Sequence, residues 1–251
     1  MNLHTCILTG NDCYRAGRTI VPKGVMVHST GANNPRLSRY VAPDDGMLGQ
    51  PSSLHWNQSG TGACVHAFIG RLADGSVASY QTLPWTMRGW HCAGSANDTN
   101  ISFEICEDSL KDPDYFGAVY REAVELTACL CAQFNLDPLA DGVVLCHSEG
   151  YLRGIASNHA DVLHWFPRFG KTMDDFRADV AREMEETVKT YKTLNDVPES
   201  YRPTIRRLME AGVLLGHSDP DPDRLEDNVL NIDETYCRIM TTLDRLGVLE
   251  V

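Results

Sequence analysis

The chain has 251 residues, 43% of them apolar and 22% charged, with a formal net charge of −12. That length holds one sizeable core, or one domain of about 180 residues with a small appendage. The negative balance excludes the basic face that non-specific binding to nucleic acid or anionic lipid requires, so neither partner is expected.

The first residues, MNLHTCILTGNDCYRAGR, lack the basic start and long apolar run of a secretory signal. Synthesis in the cytoplasm is therefore expected, with any export by another route. No apolar run anywhere approaches the roughly 20 residues that span a bilayer. Residues 25–28, VMVH, follow a turn-like VPKG and predict a buried strand ending at His28. CVHAFIG at 64–70 and SVASYQ at 76–81 flank an Asp-Gly, which predicts a hairpin. ISFEIC at 101–106 alternates, placing Ser102 and Glu104 on one face and Ile101, Phe103 and Ile105 on the other.

In DYFGAVYREAVELTACLCAQF, apolar residues recur near the 3.6 period from 116 to 134, which predicts a long amphipathic helix. GVVLC at 142–146 is a further strand leading straight into His147. A second helix is expected from about Thr172, with the acidic first turn that the helix dipole favours. Strands interleaved with helices give an α/β domain over residues 1–190. Residues 191–251 comprise a Pro-containing linker and two helical stretches, each followed by a Gly-Val-Leu turn. They make too small a core to stand alone robustly. Packing on the main domain, self-association and docking on a partner are the roles open to them. The acidic stretch at 219–228 fails as a calcium loop, because Arg224 and Leu230 stand where glycine and glutamate are needed.

Nine cysteines lie mostly in apolar contexts and form no paired CxxC knuckle, so buried free thiols are expected. Metal-competent side chains instead gather at strand ends: His28, Glu104, and the segment HSEGYLRGIASNHADVLHWF at 147–166. Imidazoles plus one carboxylate suit a catalytic zinc with an open position, and a further carboxylate could shuttle the proton of a water molecule. On residue chemistry alone His159 and Asp161 both remain candidates to complete the ligand set.

The motifs VMVHST, CVHAFIG with ADGSVASYQTLPW, RGWHCAG, NDTNISFEICED and the 147–166 segment occur in an order that resembles the zinc-dependent N-acetylmuramoyl-L-alanine amidases of the second type. That family includes phage endolysins, bacterial autolysins and peptidoglycan recognition proteins, and the resemblance covers residues 18–182. It implies a mixed central sheet flanked by helices, to which the small helical C-terminal segment read from residues 191–251 is added. It implies one zinc ion held by His28, His147 and Asp161, with His159 as oxyanion donor and Glu104 as general base. It places His91 and Trp90 along the substrate groove, with bacterial peptidoglycan as the partner. His164 and Trp165 are expected to pack around the site, and Glu107 and Asp108 to form a solvated turn. The implied reaction is cleavage of the amide between N-acetylmuramic acid and L-alanine, in the manner of a phage or prophage endolysin acting after host lysis. A non-catalytic wall-binding module and a cytosolic muropeptide-recycling amidase are the alternatives.

Overall fold

The computed structural model describes residues 1–187, 190–214, 229–230 and 232–249. It divides into two compact units, Met1–Met184 and Glu185–Val251. The acidic stretch at 219–228 lies outside the described residues.

The first unit is built on a six-stranded mixed sheet. Its strands are β1 (Leu3–Thr5), β2 (Gly24–Ser29), β3 (Ala67–Arg71), β4 (Val77–Gln81), β5 (Asn100–Ile105) and β6 (Val144–Cys146), in the order β1-β4-β3-β5-β2-β6. β3 and β4 form the antiparallel hairpin turned by Asp74-Gly75, while β5 pairs in parallel with β3 and β2, and β2 with β6. The apolar run expected from residue 64 becomes strand only at Ala67, and Cys64 instead forms an isolated bridge with Trp90. β1 and the short helix α1 (Asp12–Ala16) have too few residues for a period to declare them.

Alternation sorts the sheet into two faces. Val25, Val27, Ile101, Phe103 and Ile105 pack in one core with α2 (Pro113–Phe134) and α4 (Met173–Thr187). α2 starts where Asp112 accepts the amides of Asp114 and Tyr115, and Pro113 occupies the first turn, where its missing N–H costs nothing. Phe166, Phe169 and Trp165 fill the space beside Phe116 and Tyr120, so the Trp165-Phe166 end of the 147–166 segment is part of this core. The opposite face carries Phe68 and Tyr80 in a second core, and further along the same face His28, Ser102 and Glu104. With one face sealed by α2, the other is left to build a cleft.

The second unit holds a two-stranded pair, β7 (Thr190–Tyr191) and β8 (Ile232–Asp233), with helices α5 (Arg202–Glu210) and α6 (Glu234–Arg245). Leu194, Val197, Ile205, Leu208 and Cys237 make its core. Both helices end alike: the Val213 amide donates to the Leu208 carbonyl and the Val248 amide to the Leu243 carbonyl, each at 2.9 Å. That is the common chemistry behind the repeated Gly-Val-Leu turn. Asp244 on α6 accepts the Thr204 hydroxyl of α5 at 2.7 Å and the Arg207 guanidinium at 2.6 Å.

All nine cysteines are free thiols, and seven of them are buried. No helix among the described residues is long and apolar enough to cross a membrane.

Candidate active site

Three ends of the sheet converge on one point. His28 is the penultimate residue of β2, and parallel register sets it directly beside Glu104 on β5. His147 follows β6 as the first residue of α3 (His147–Leu152). The amide of Cys146 donates to the Glu149 carboxylate at 3.0 Å, and Arg177 of α4 grips that carboxylate through both guanidinium nitrogens at 3.0 and 3.1 Å. The turn that starts at His147 is thus held from both sides. Asp161 returns after the fourteen-residue excursion, just ahead of the buried Val162, Trp165 and Phe166.

Nδ1 of His28, Nδ1 of His147 and Oδ2 of Asp161 lie 3.0 Å apart between the imidazoles and 3.2 Å from each imidazole to the carboxylate. Tetrahedral ligands about 2.0–2.1 Å from one zinc ion sit roughly 3.3 Å from each other. Three lone-pair donors this close, on two buried histidines and a half-buried aspartate, therefore fit one cation of that size. His159 stands outside this set: its ring stacks on that of His147 at 4.6 Å between centroids, exposed at the rim. The fold groups Asp161, rather than His159, with the two imidazoles.

Electrostatics favour the same use. Burial pushes the His28 imidazole below its ordinary value, against the pull of the Asp161 carboxylate, so the fold favours its neutral form. Burial alone would raise Asp161, yet hydrogen bonds to His147 and His28 hold it well below the usual carboxylate range. Glu104 goes the other way. Burial first, then the charges of Asp161 and Glu107, raise it well above the ordinary glutamate value. Its Oε2 is buried without a hydrogen-bond partner, at the wall of the cleft. The two neighbouring carboxylates are thus pushed in opposite directions, Asp161 towards its anion and Glu104 towards its protonated form.

The cleft has a volume of about 520 Å³ and is lined by Glu104, His147, His159, Asp161, Trp90 and Gly31, among others. His91 also borders it, but both ring nitrogens turn inward: Nδ1 lies 3.0 Å from Nε2 of His28, and Nε2 is buried. Ser157 stands in the matching place behind His147, its hydroxyl 3.1 Å from Nε2. Glu107, expected in a solvated turn, is instead only 4% exposed; it accepts the Gly31 amide at 3.1 Å and pairs with His164 Nε2 at 2.9 Å. Nothing in the sequence around Glu107 distinguishes it from Asp108, because its partners lie 57 and 76 residues away.

A convergent His-His-Asp cluster with a partnerless buried glutamate at the wall of an open cleft is the layout of a hydrolase centre. The chain belongs to the N-acetylmuramoyl-L-alanine amidase family, whose match runs over residues 17–164 and contains the whole cluster. Among curated proteins none matches the chain. Among solved structures it is similar to the Staphylococcus aureus hydrolase AmiA, crystallised with its ligand, at 17% identity and a TM-score of 0.52, covering 74% of this chain and 83% of that one. It is also similar to the PlyG catalytic domain, at 20% identity and a TM-score of 0.50, covering 73% of this chain and 96% of that one. These likenesses show the shared fold.

Proposed function

We propose that the protein is a zinc-dependent peptidoglycan hydrolase that cleaves the amide between N-acetylmuramic acid and the L-alanine of the peptide stem. The observation that carries the reading is the register of β2 and β5, which sets the protonatable Glu104 beside His28 within the His28–His147–Asp161 cluster. Bound zinc supplies Lewis acidity, which polarises a carbonyl and brings the pKa of water near 7. The rest falls to the chain. Glu104 takes a proton from the attacking water and returns it to the departing alanine amine, a role that its raised affinity for protons suits. His159, exposed at the rim, donates to the developing oxyanion of the lactyl carbonyl. Trp90 lies along the cleft wall and offers a flat face to glycan or peptide. His91 borders the groove as well.

The family match supports degradation of a bacterial wall as the setting of this activity. The second unit serves wall binding or self-association.

The test is digestion of purified walls, following new L-alanine amino termini and zinc content together. The Glu104→Gln variant is expected to keep its zinc and lose activity by about 10²–10⁴-fold, the usual scale for a general base. Wild-type release of alanine termini by that variant would overturn the assignment, and release of reducing sugar ends instead would replace the bond.

A further inference from the structure

Both ligand histidines are held from behind, and both holds lead to one stretch of chain. His28 faces the cluster with Nδ1; as a ligand through that atom it would carry its proton on Nε2, 3.0 Å from Nδ1 of His91. His91 would then be the acceptor, with its own proton on Nε2, which is buried without a hydrogen-bond partner. The two rings meet nearly edge to face, 73° apart, an arrangement that fixes the rotation of His28 as well as its tautomer.

His91 is itself fastened. The Asn97 side-chain oxygen accepts the amides of His91 at 2.9 Å and Cys92 at 3.1 Å, and Asn97 is only 6% exposed. From there the hold passes to the other ligand. The Cys92 carbonyl accepts the Ser157 amide at 2.8 Å, and the Ala96 amide donates to the Ile155 carbonyl at 3.0 Å. Ser157 then bonds Nε2 of His147. Gly94 permits this pairing, since a side chain there would collide with the Ile155 backbone.

We propose that His91 is a positioning residue for the metal centre, the acceptor that fixes the tautomer and orientation of His28, with Asn97 locking it in place. The proposal rests on the reading of His28, His147 and Asp161 as zinc ligands. Outer partners of metal-bound histidines of this kind commonly contribute about 10–100-fold to metal affinity.

The test is zinc affinity of the full chain, measured by competition with a chromophoric chelator, alongside melting of the metal-free proteins. His91→Phe keeps an aromatic ring and removes the acceptor; His91→Asn returns an oxygen near the position of Nδ1. We expect His91→Phe to weaken zinc binding about 10–100-fold, and His91→Asn to recover most of that loss, with similar metal-free melting for the two. Equal affinity of the two variants, or wild-type affinity for His91→Phe, would overturn the proposal. Should His91→Phe fail to fold, His91→Gln replaces it, since its longer amide reaches past Nδ1. Absence of zinc binding by the wild type would instead sink the reading of the cluster itself.

Discussion

Asp161 and His159 are two residues apart, yet the fold gives them opposite surroundings. Asp161 puts one oxygen 3.2 Å from the imidazoles of both His28 and His147, while His159 stacks on the outside of His147 in solvent reach. Removing them should therefore fail in different ways. Asp161→Asn takes away the anionic donor, and bound zinc is expected to fall below one equivalent, with activity lost in parallel. His159→Ala leaves the three donors intact; zinc should stay at one equivalent while kcat drops about 10²–10³-fold, the scale for one oxyanion donor. Metal analysis beside steady-state kinetics reads both, and loss of zinc from His159→Ala would exchange their roles. The sequence exposed these residues well because apolar strands run directly into His28 and His147, and alternation in ISFEIC separates Glu104 from the core. It exposed the supporting residues poorly. His91, Ser157 and Glu107 take their meaning from partners that only the folded chain brings near, and none carries a local period.

At the scale of elements, the long pieces announced themselves and the short ones did not. The repeat of apolar positions in α2 and the apolar run of β2 are local patterns that the fold preserves. α3 has only six residues, HSEGYL, with no apolar stripe, and its order comes from outside. Glu149 receives the Cys146 amide, and Arg177 of α4 neutralises Glu149 while also donating to the Val144 carbonyl at 2.9 Å. Arg177 and Glu149 are 18% and 25% exposed, so neither is free to find full hydration when its partner is lost. Arg177→Ala should cost about 1–3 kcal/mol of stability, the usual penalty for stranding such groups. Because α3 begins at His147, zinc affinity should fall with it. Urea unfolding of the metal-free protein, run beside a zinc titration, checks both; full zinc affinity in a destabilised variant would show that α3 holds His147 without Arg177.

The whole molecule shows how a cleft of polar groups is carried on one face of a single sheet. The site residues all belong to the Met1–Met184 unit, and the face they occupy is continued inward by His66 and Ser102. His66 is completely buried; its Nδ1 accepts the Ser102 amide at 3.0 Å and its Nε2 donates to the Met87 carbonyl at 2.8 Å. Both nitrogens are used by the neutral ring, and a second proton would displace the Ser102 amide. Burial accordingly pushes its pKa down to about 4 from the ordinary 6.5, although the contacts with Met87 and Ser102 work the other way. The sign follows from proton counting. Between pH 6.5 and about 4 the unfolded chain binds a proton on this residue and the folded chain does not. Stability from His66 is thus fully present above pH 6.5 and declines as the pH falls towards 4. At about 1.4 kcal/mol per pH unit, the loss comes to about 3 kcal/mol. Other groups titrate in the same range, so the measurement must isolate this one. Urea midpoints at pH 7, 5 and 4, with a chelator present to remove metal linkage, should be compared for the wild type and His66→Gln. The variant is expected to be less stable at pH 7, with the gap narrowing steadily towards pH 4; two parallel profiles would mean that His66 keeps an ordinary pKa in the fold.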